Sequence, residues 1–200
     1  GAAFDAQNLD IGLFNQLGLP FWAEFILVIL ILDFFIWLQH LLTHKIEFLW
    51  RIHRVHHSDT EMDVSTAIRF HPIEIALSMA LKISLVYALG ADPLSVLIFE
   101  ILLNGSSIFN HANINIPNRI DKIVRFLIVT PDMHRIHHSS DRIEHDTNFG
   151  FALSIWDHMF QTYKYRPERD HKEMEIGLNW QDEKPQELGW SLGLPFKKNG

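Results

Sequence analysis

Thirteen histidines stand in a chain of 200 residues that contains no cysteine, and eight of them fall into three short groups. His40 and His44 lie in HLLTH, His53, His56 and His57 in HRVHH, and His134, His137 and His138 in HRIHH. Residues three and four apart share a helix face, so each group can aim its imidazoles at one point. Eight imidazoles exceed the three or four ligands of one tetrahedral zinc and suffice for two metals with about four ligands each. Neutral imidazole suits iron, zinc, copper and nickel, so the residue type does not select the metal. Without thiols, disulfides, thiolate zinc sites, iron–sulfur clusters and cysteine nucleophiles are all excluded.

His111, in FNHANINIP, is a ninth candidate ligand, with a hydrogen-bonded histidine at a helix end as the plainer alternative. His71, in RFHPIE, is a possible member of the site or a structural residue where a helix enters the membrane; His145, His158 and His171 are expected at the surface, with His145 close enough in sequence to the third group to be a possible member as well. Metal-bound imidazoles usually donate their other N–H to a carboxylate or carbonyl. Asp146, Asn148 and Asp157, in the stretch HDTNFGFALSIWDHMF, follow the third group and are candidates for that role; helix capping is the competing use.

The elements that must carry these residues are long and apolar. Residues 20–42 read PFWAEFILVILILDFFIWLQHLL, with only Glu24 and Asp33 charged, enough to cross a hydrocarbon core of about 30 Å. A second run, 73–89, carries only Lys82 beyond Glu74 at its start, and a third, 93–109, only Glu100; the turn Gly90-Ala91-Asp92-Pro93 makes them a helical hairpin. The four intramembrane charges are expected to face protein or water. No Lys or Arg precedes Lys45, while Lys45, Arg51, Arg54, Arg69, Arg119, Lys122, Arg125 and Arg135 fall between or after the spans. This bias places the N-terminus outside and brings all three histidine groups to the cytoplasmic face. The apolar piece 123–129 is too short to span and is closed by Thr130-Pro131.

These features predict an all-α, integral-membrane helical bundle with a histidine-rich di-metal cap on the cytosolic side. It forms one domain over 1–200, with a core at about 20–165 and a charged, turn-rich peripheral cytosolic tail at 166–200. No basic stretch precedes the first apolar run, so no cleavable leader is expected. The net charge of −7 argues against nucleic acid as a partner.

The order HxxxH, HxxHH and a distant HxxHH resembles the fatty acid hydroxylase/sterol desaturase superfamily of integral-membrane di-iron oxygenases. The flanking text RIHRVHHSD, RFHPIE, FNHANI, TPDMHRIHHSS, DTNFG and WDHMFQTY is similar too, so the resemblance covers roughly residues 20–165. It implies two iron ions, with His40, His44, His53, His56, His57, His134, His137 and His138 as ligands and His111 beside them. It further implies O2 as co-substrate and hydroxylation or desaturation of a lipid C–H bond in a sterol, fatty acyl, carotenoid or ether lipid. A separate electron donor, cytochrome b5-like, ferredoxin or reductase, is expected, and a bacterial inner membrane suits so compact a chain. One departure is Gln161, which stands where relatives often carry Gly in a WD-x-x-F-G-T-Y ending.

Two other functions fit a histidine-rich membrane protein. A metal transporter would set ligands along a path through the bilayer, with charged gates near its middle. A zinc-dependent membrane hydrolase would keep about three protein ligands, an open water position and a carboxylate base, and no H-E-x-x-H motif is present.

Overall fold

A computed structural model of the chain describes residues 1–171, 173–180 and 185–198. The described residues are helical, and the only pairing of strand type among them is two isolated bridges, Ile128 with Leu153 and Ser139 with Ile176. Two short helices, α1 (Ala2–Asn8) and α2 (Leu13–Leu17), precede the long α3 (Phe21–Lys45), and α4 (Glu47–His57) follows after a one-residue break at Ile46. The hairpin is α5 (Pro72–Leu89) and α6 (Pro93–His111); then come α7 (Asn118–Val124), α8 (Pro131–His137), α9 (Arg142–His145), α10 (Ile155–Met159) and α11 (Leu188–Gly193).

Helices α3, α5 and α6 are long and apolar enough to cross a membrane. At about 1.5 Å per residue, the 25 residues of α3 extend roughly 37 Å. One stripe of α3, from Val28 through Leu32 and Ile36 to His40 and His44, is buried, and Ile26 and Leu27 point outward. The hairpin helices likewise expose Ile75, Leu77, Met79, Leu97 and Ile101, an arrangement that suits lipid rather than water.

The hairpin turn follows from its residues. Gly90 closes α5 in the left-handed region (φ 64°), and Asp92 caps α6 by accepting the N–H groups of Leu94 and Ser95, with Pro93 at the first helical position. A Cβ at Gly90 would lie 2.6 Å from the Ile11 carbonyl oxygen, and one at Gly12 would lie 2.1 Å from the Gly90 nitrogen, so the N-terminal segment packs on this turn through two glycines. Each intramembrane charge has a partner. Glu24 accepts the Asp92 N–H, Asp33 accepts the Trp156 indole N–H, and Lys82 pairs with Glu100.

Two cores result. Phe14, Val28, Leu32, Ile36, Leu89, Ala91 and Phe99 join α2 and α3 to the hairpin. Val55, Leu178, Trp190 and Leu194 form the second, at the far side of α4. Arg54 is buried there, donating from Nη2 to the carbonyls of Leu194 and Lys197 while its guanidinium lies over Trp180. Leu178, Trp190 and Leu194, beyond residue 165, are therefore packed onto α4 by apolar side chains and a buried arginine.

Candidate metal centre

The break at Ile46 folds α4 back against the end of α3, which sets His40 and His44 of one helix against His53, His56 and His57 of the other. His111 is the last residue of α6, His134 and His137 lie on α8, and His138 caps it. Thr130 and Pro131 start α8 where the sequence expects the short apolar piece to end, with the Thr130 hydroxyl accepting the Met133 N–H. All nine imidazoles are buried.

They sort into two sets, each with ligand atoms within 4.8 Å of one another: His40, His44, His53, His57 and His137 in one, His56, His111, His134 and His138 in the other. The Nε2 atoms of His40 and His53 are 3.1 Å apart; those of His56 and His111, and of His111 and His134, are 3.1 and 3.2 Å apart. Sequence proximity does not decide membership, because the neighbours His56 and His57 fall in different sets, as do His137 and His138.

The outward nitrogens explain why Nε2 faces inward. The Nδ1–H groups of His40, His111 and His137 donate to the carbonyls of Phe149, Ser107 and Thr147, each at 2.7 Å, and that of His56 donates to the Arg69 carbonyl at 3.3 Å. His53 donates to the Glu74 carboxylate at 2.6 Å. Each such bond fixes a tautomer with a lone pair on Nε2.

Burial holds the imidazoles of His56, His57, His134, His137 and His138 well below their ordinary range of protonation, and the neighbouring imidazoles add to the effect. They are neutral at pH 7, the form that binds a metal. The residues fit metal ions on a further ground. Both ring nitrogens of His44, His57 and His138, Nδ1 of His134 and Nε2 of His137 are buried without a hydrogen-bond partner among the described residues. Each such atom costs roughly 1–3 kcal/mol if nothing satisfies it, and a cation, which takes the one lone pair of each neutral ring, removes that cost for one nitrogen per imidazole.

The remaining candidates lie around the sets. His71 caps α5 through the Ile73 N–H and belongs to neither set. His145 forms a smaller group with His44 and Asp146, stacks on Trp50 at 5.0 Å and donates from Nδ1 to the Ser139 carbonyl. Asp146 pairs with Lys45 at 2.8 Å and approaches His44 Nδ1 only to 3.6 Å.

Asn148 and Asp157 depart from the role expected of them, since neither bonds an imidazole. Asn148, at φ 55°, bonds the main chain of Met133 and Lys164. Asp157 accepts from Trp37 Nε1, Thr162 Oγ1 and the N–H groups of Phe149 and Gly150. Both are consumed in holding the loop whose carbonyls reach His40 and His137. Burial pushes the Asp157 carboxyl up, and those four hydrogen bonds oppose the shift. Glu74 is the residue that sequence reasoning missed; its only signal is its place in the first turn after His71-Pro72.

A cavity of about 270 Å³ between α3, α5 and α6 ends on His40 and His53 and is walled by Ile36, Ile75, Leu103 and Phe151. It joins the first imidazole set to the apolar hairpin.

The model of the fatty acid hydroxylase family matches residues 25–162, which hold all nine of these histidines. The ornithine lipid hydroxylase OlsE of Rhizobium tropici is 33% identical over 150 residues, covering 74% of this chain and 44% of that protein. The alkylglycerol monooxygenase of Homo sapiens is 28% identical over 142 residues, 68% of this chain and 30% of that one, and the human cholesterol 25-hydroxylase 28% over 146, 70% and 50%. The chain thus spans half or less of the length of these relatives. No solved structure matches it. With the family pattern matched across most of the chain and its histidines gathered in two buried sets, the chain belongs to the fatty acid hydroxylase family.

Proposed function

We propose that the chain hydroxylates a lipid C–H bond with O2, using two iron ions. One would be held by His40, His44, His53, His57 and His137, the other by His56, His111, His134 and His138. The observation that carries this reading is that His40 and His53 belong at once to an imidazole set and to the wall of an apolar cavity between membrane-length helices. When bound, the irons supply the O2 activation and redox capacity that no side chain here possesses.

The chain's own residues do the rest. Ile36, Ile75, Leu103 and Phe151 exclude water and hold an aliphatic segment against the end of the cavity where His40 and His53 lie. The carbonyls of Phe149, Ser107 and Thr147 and the Glu74 carboxylate keep the imidazoles aimed. The relatives' names favour hydroxylation over desaturation. The metal-carrier reading is disfavoured because both sets sit at one end of the long helices, with no line of ligands along them.

We place this end on the cytoplasmic side, since no Lys or Arg precedes Lys45 or lies in the hairpin turn, and the membrane as a bacterial inner membrane. Electrons would come from a separate donor protein. The packing of Leu178, Trp190 and Leu194 on Val55 supports a single folding unit over the whole chain.

The test is metal analysis of detergent-purified protein from iron-supplemented cells, with Mössbauer spectra of the reduced form before and after O2. About two irons per chain and an O2-dependent change are expected. Failure to take up iron on anaerobic reconstitution, with zinc bound tightly instead, would overturn the reading.

A further inference from the structure

Lys82 and Glu100 join the two hairpin helices midway along their length, with Lys82 Nζ 2.7 and 2.9 Å from the two carboxylate oxygens. Lys82 also lines the cavity that ends on His40 and His53. Along α5, Glu74, Ser78 and Lys82 recur every four residues, and all three line that cavity. A polar stripe therefore runs from the carboxylate that holds His53 to the ammonium, about 12 Å along the helix axis at 1.5 Å per residue. On α6, Asn104 and Ser107 face the same space, and the Asn104 side chain donates to the Glu100 carbonyl.

Helix pairing alone does not call for such a pair. Charges at this depth are costly, and two apolar side chains of similar size would join α5 to α6 without that cost. Nor is the pair sealed, because the Glu100 side chain keeps 36% of its exposure against 13% for Lys82. The Lys82 ammonium thus stands as a donor at the end of the cavity remote from the histidines, and the part-exposed Glu100 carboxylate bonded to it is the adjoining acceptor.

We propose that the Lys82–Glu100 pair anchors the lipid substrate and selects one that carries a neutral hydroxyl group, an inference that rests on the hydroxylase reading of the same site. The pair has no net charge. A hydroxyl accepts from the ammonium and donates to the carboxylate at once, leaving neither ion without a partner. A carboxylate or phosphate would bring net negative charge beside Glu100 in a medium of low dielectric, and a plain hydrocarbon end would satisfy neither ion. The two turns of α5 between Lys82 and Glu74 then set the distance from the anchored hydroxyl to the carbon presented at His40 and His53. Lys82 and Glu100 are specificity-determining residues in this scheme.

The experiment is competition for binding of a radiolabelled long-chain primary alcohol to the full chain in nanodiscs, with and without iron, by the matched alcohol, carboxylate and alkane. The alcohol is expected to compete about tenfold or more better than either of the others. The double variant Lys82→Met/Glu100→Met should lose that preference and leave competition by the alkane within about twofold. A diazirine placed beside the hydroxyl should label the α5 and α6 residues around Ser78, Lys82 and Asn104. These two measurements on the unaltered chain decide the matter even if the double variant fails to fold.

Equal competition by alcohol and alkane, a preference for the carboxylate, a preference that survives the double substitution, or labelling around His40 would overturn the proposal. Binding needs no turnover, so the two readings fail separately. A chain that takes iron and consumes O2 without the alcohol preference defeats the anchor alone; one that keeps the preference but binds no iron defeats the hydroxylase reading alone.

Discussion

Oε1 of Glu74, in the first turn of α5, lies 2.6 Å from Nδ1 of His53, and among the described residues His53 is the one imidazole of the nine that a carboxylate holds at hydrogen-bonding distance. A carboxylate partner raises the basicity of a ligating imidazole more than a carbonyl does and fixes its ring plane. Glu74→Ala is expected to weaken metal binding by the five-histidine set about 10- to 100-fold, while Glu74→Gln, which still accepts the N–H, keeps most of it. Metal titration of the two variants checks this; equal affinity in Glu74→Ala and the unaltered chain would refute the role.

Asp157 acts one step further out. It holds the N–H groups of Phe149 and Gly150, and the Phe149 carbonyl accepts from His40 at 2.7 Å. Its partner Trp37 lies on α3 three residues before His40, so one carboxylate ties the loop to the helix that it orients against. Asp157→Ala would leave four buried donors without an acceptor. At roughly 1–3 kcal/mol for each, a loss of at least about 4 kcal/mol is expected, seen as a lowered unfolding midpoint in detergent. Asp157→Asn should cost distinctly less, and a neutral result for the alanine variant would exclude the hub.

Acid should destabilise the metal-free chain. His56, His57, His134, His137 and His138 have folded values held well below the ordinary 6.5, so the unfolded chain binds protons first as the pH falls. Stability contributed by the neutral rings is present above pH 6.5 and is lost progressively below it. Each group contributes a slope of up to about 1.4 kcal/mol per pH unit, so five acting together give a steep fall between pH 7.5 and 5.5. Bound metal should shift the fall to lower pH, because it occupies the same lone pairs. Thermal unfolding with and without metal at the two pH values measures both effects; a flat profile for the metal-free chain would contradict them.

The ligand candidates were legible because helical spacing alone puts His53 beside His57 and His134 beside His138, and the three spans because length and apolarity settle them to within a few residues. How the imidazoles divide between two sets was not, since it depends on the fold of α4 back onto α3 at Ile46. The atoms that orient the rings were mostly hidden too. Main-chain carbonyls such as those of Phe149 and Thr147 carry no residue signature, and Asn148 and Asp157 turned out to serve the loop that presents them. The part played by Leu178, Trp190 and Leu194 was obscured because they are scattered through charged, turn-rich text and meet only when packed on Val55.

Gln161 shows how a departure in the sequence becomes a measurable strain. It has φ 59°, the left-handed region where a side chain costs roughly 1–2 kcal/mol, and it is exposed, so little packing offsets that cost. The position also matters for the site, because the next residue, Thr162, donates both its N–H and its hydroxyl to Asp157. Gln161→Gly removes the strain but adds roughly 0.5–1 kcal/mol of chain entropy to be lost on folding, so the expected change is neutral to stabilising by up to about 1 kcal/mol. Gln161→Val, β-branched in the same region, should cost more than the strain already present. Unfolding midpoints of the two variants decide it: glycine at or above the unaltered chain and valine below it is the expected order, and the reverse order would mean that the turn is not held left-handed.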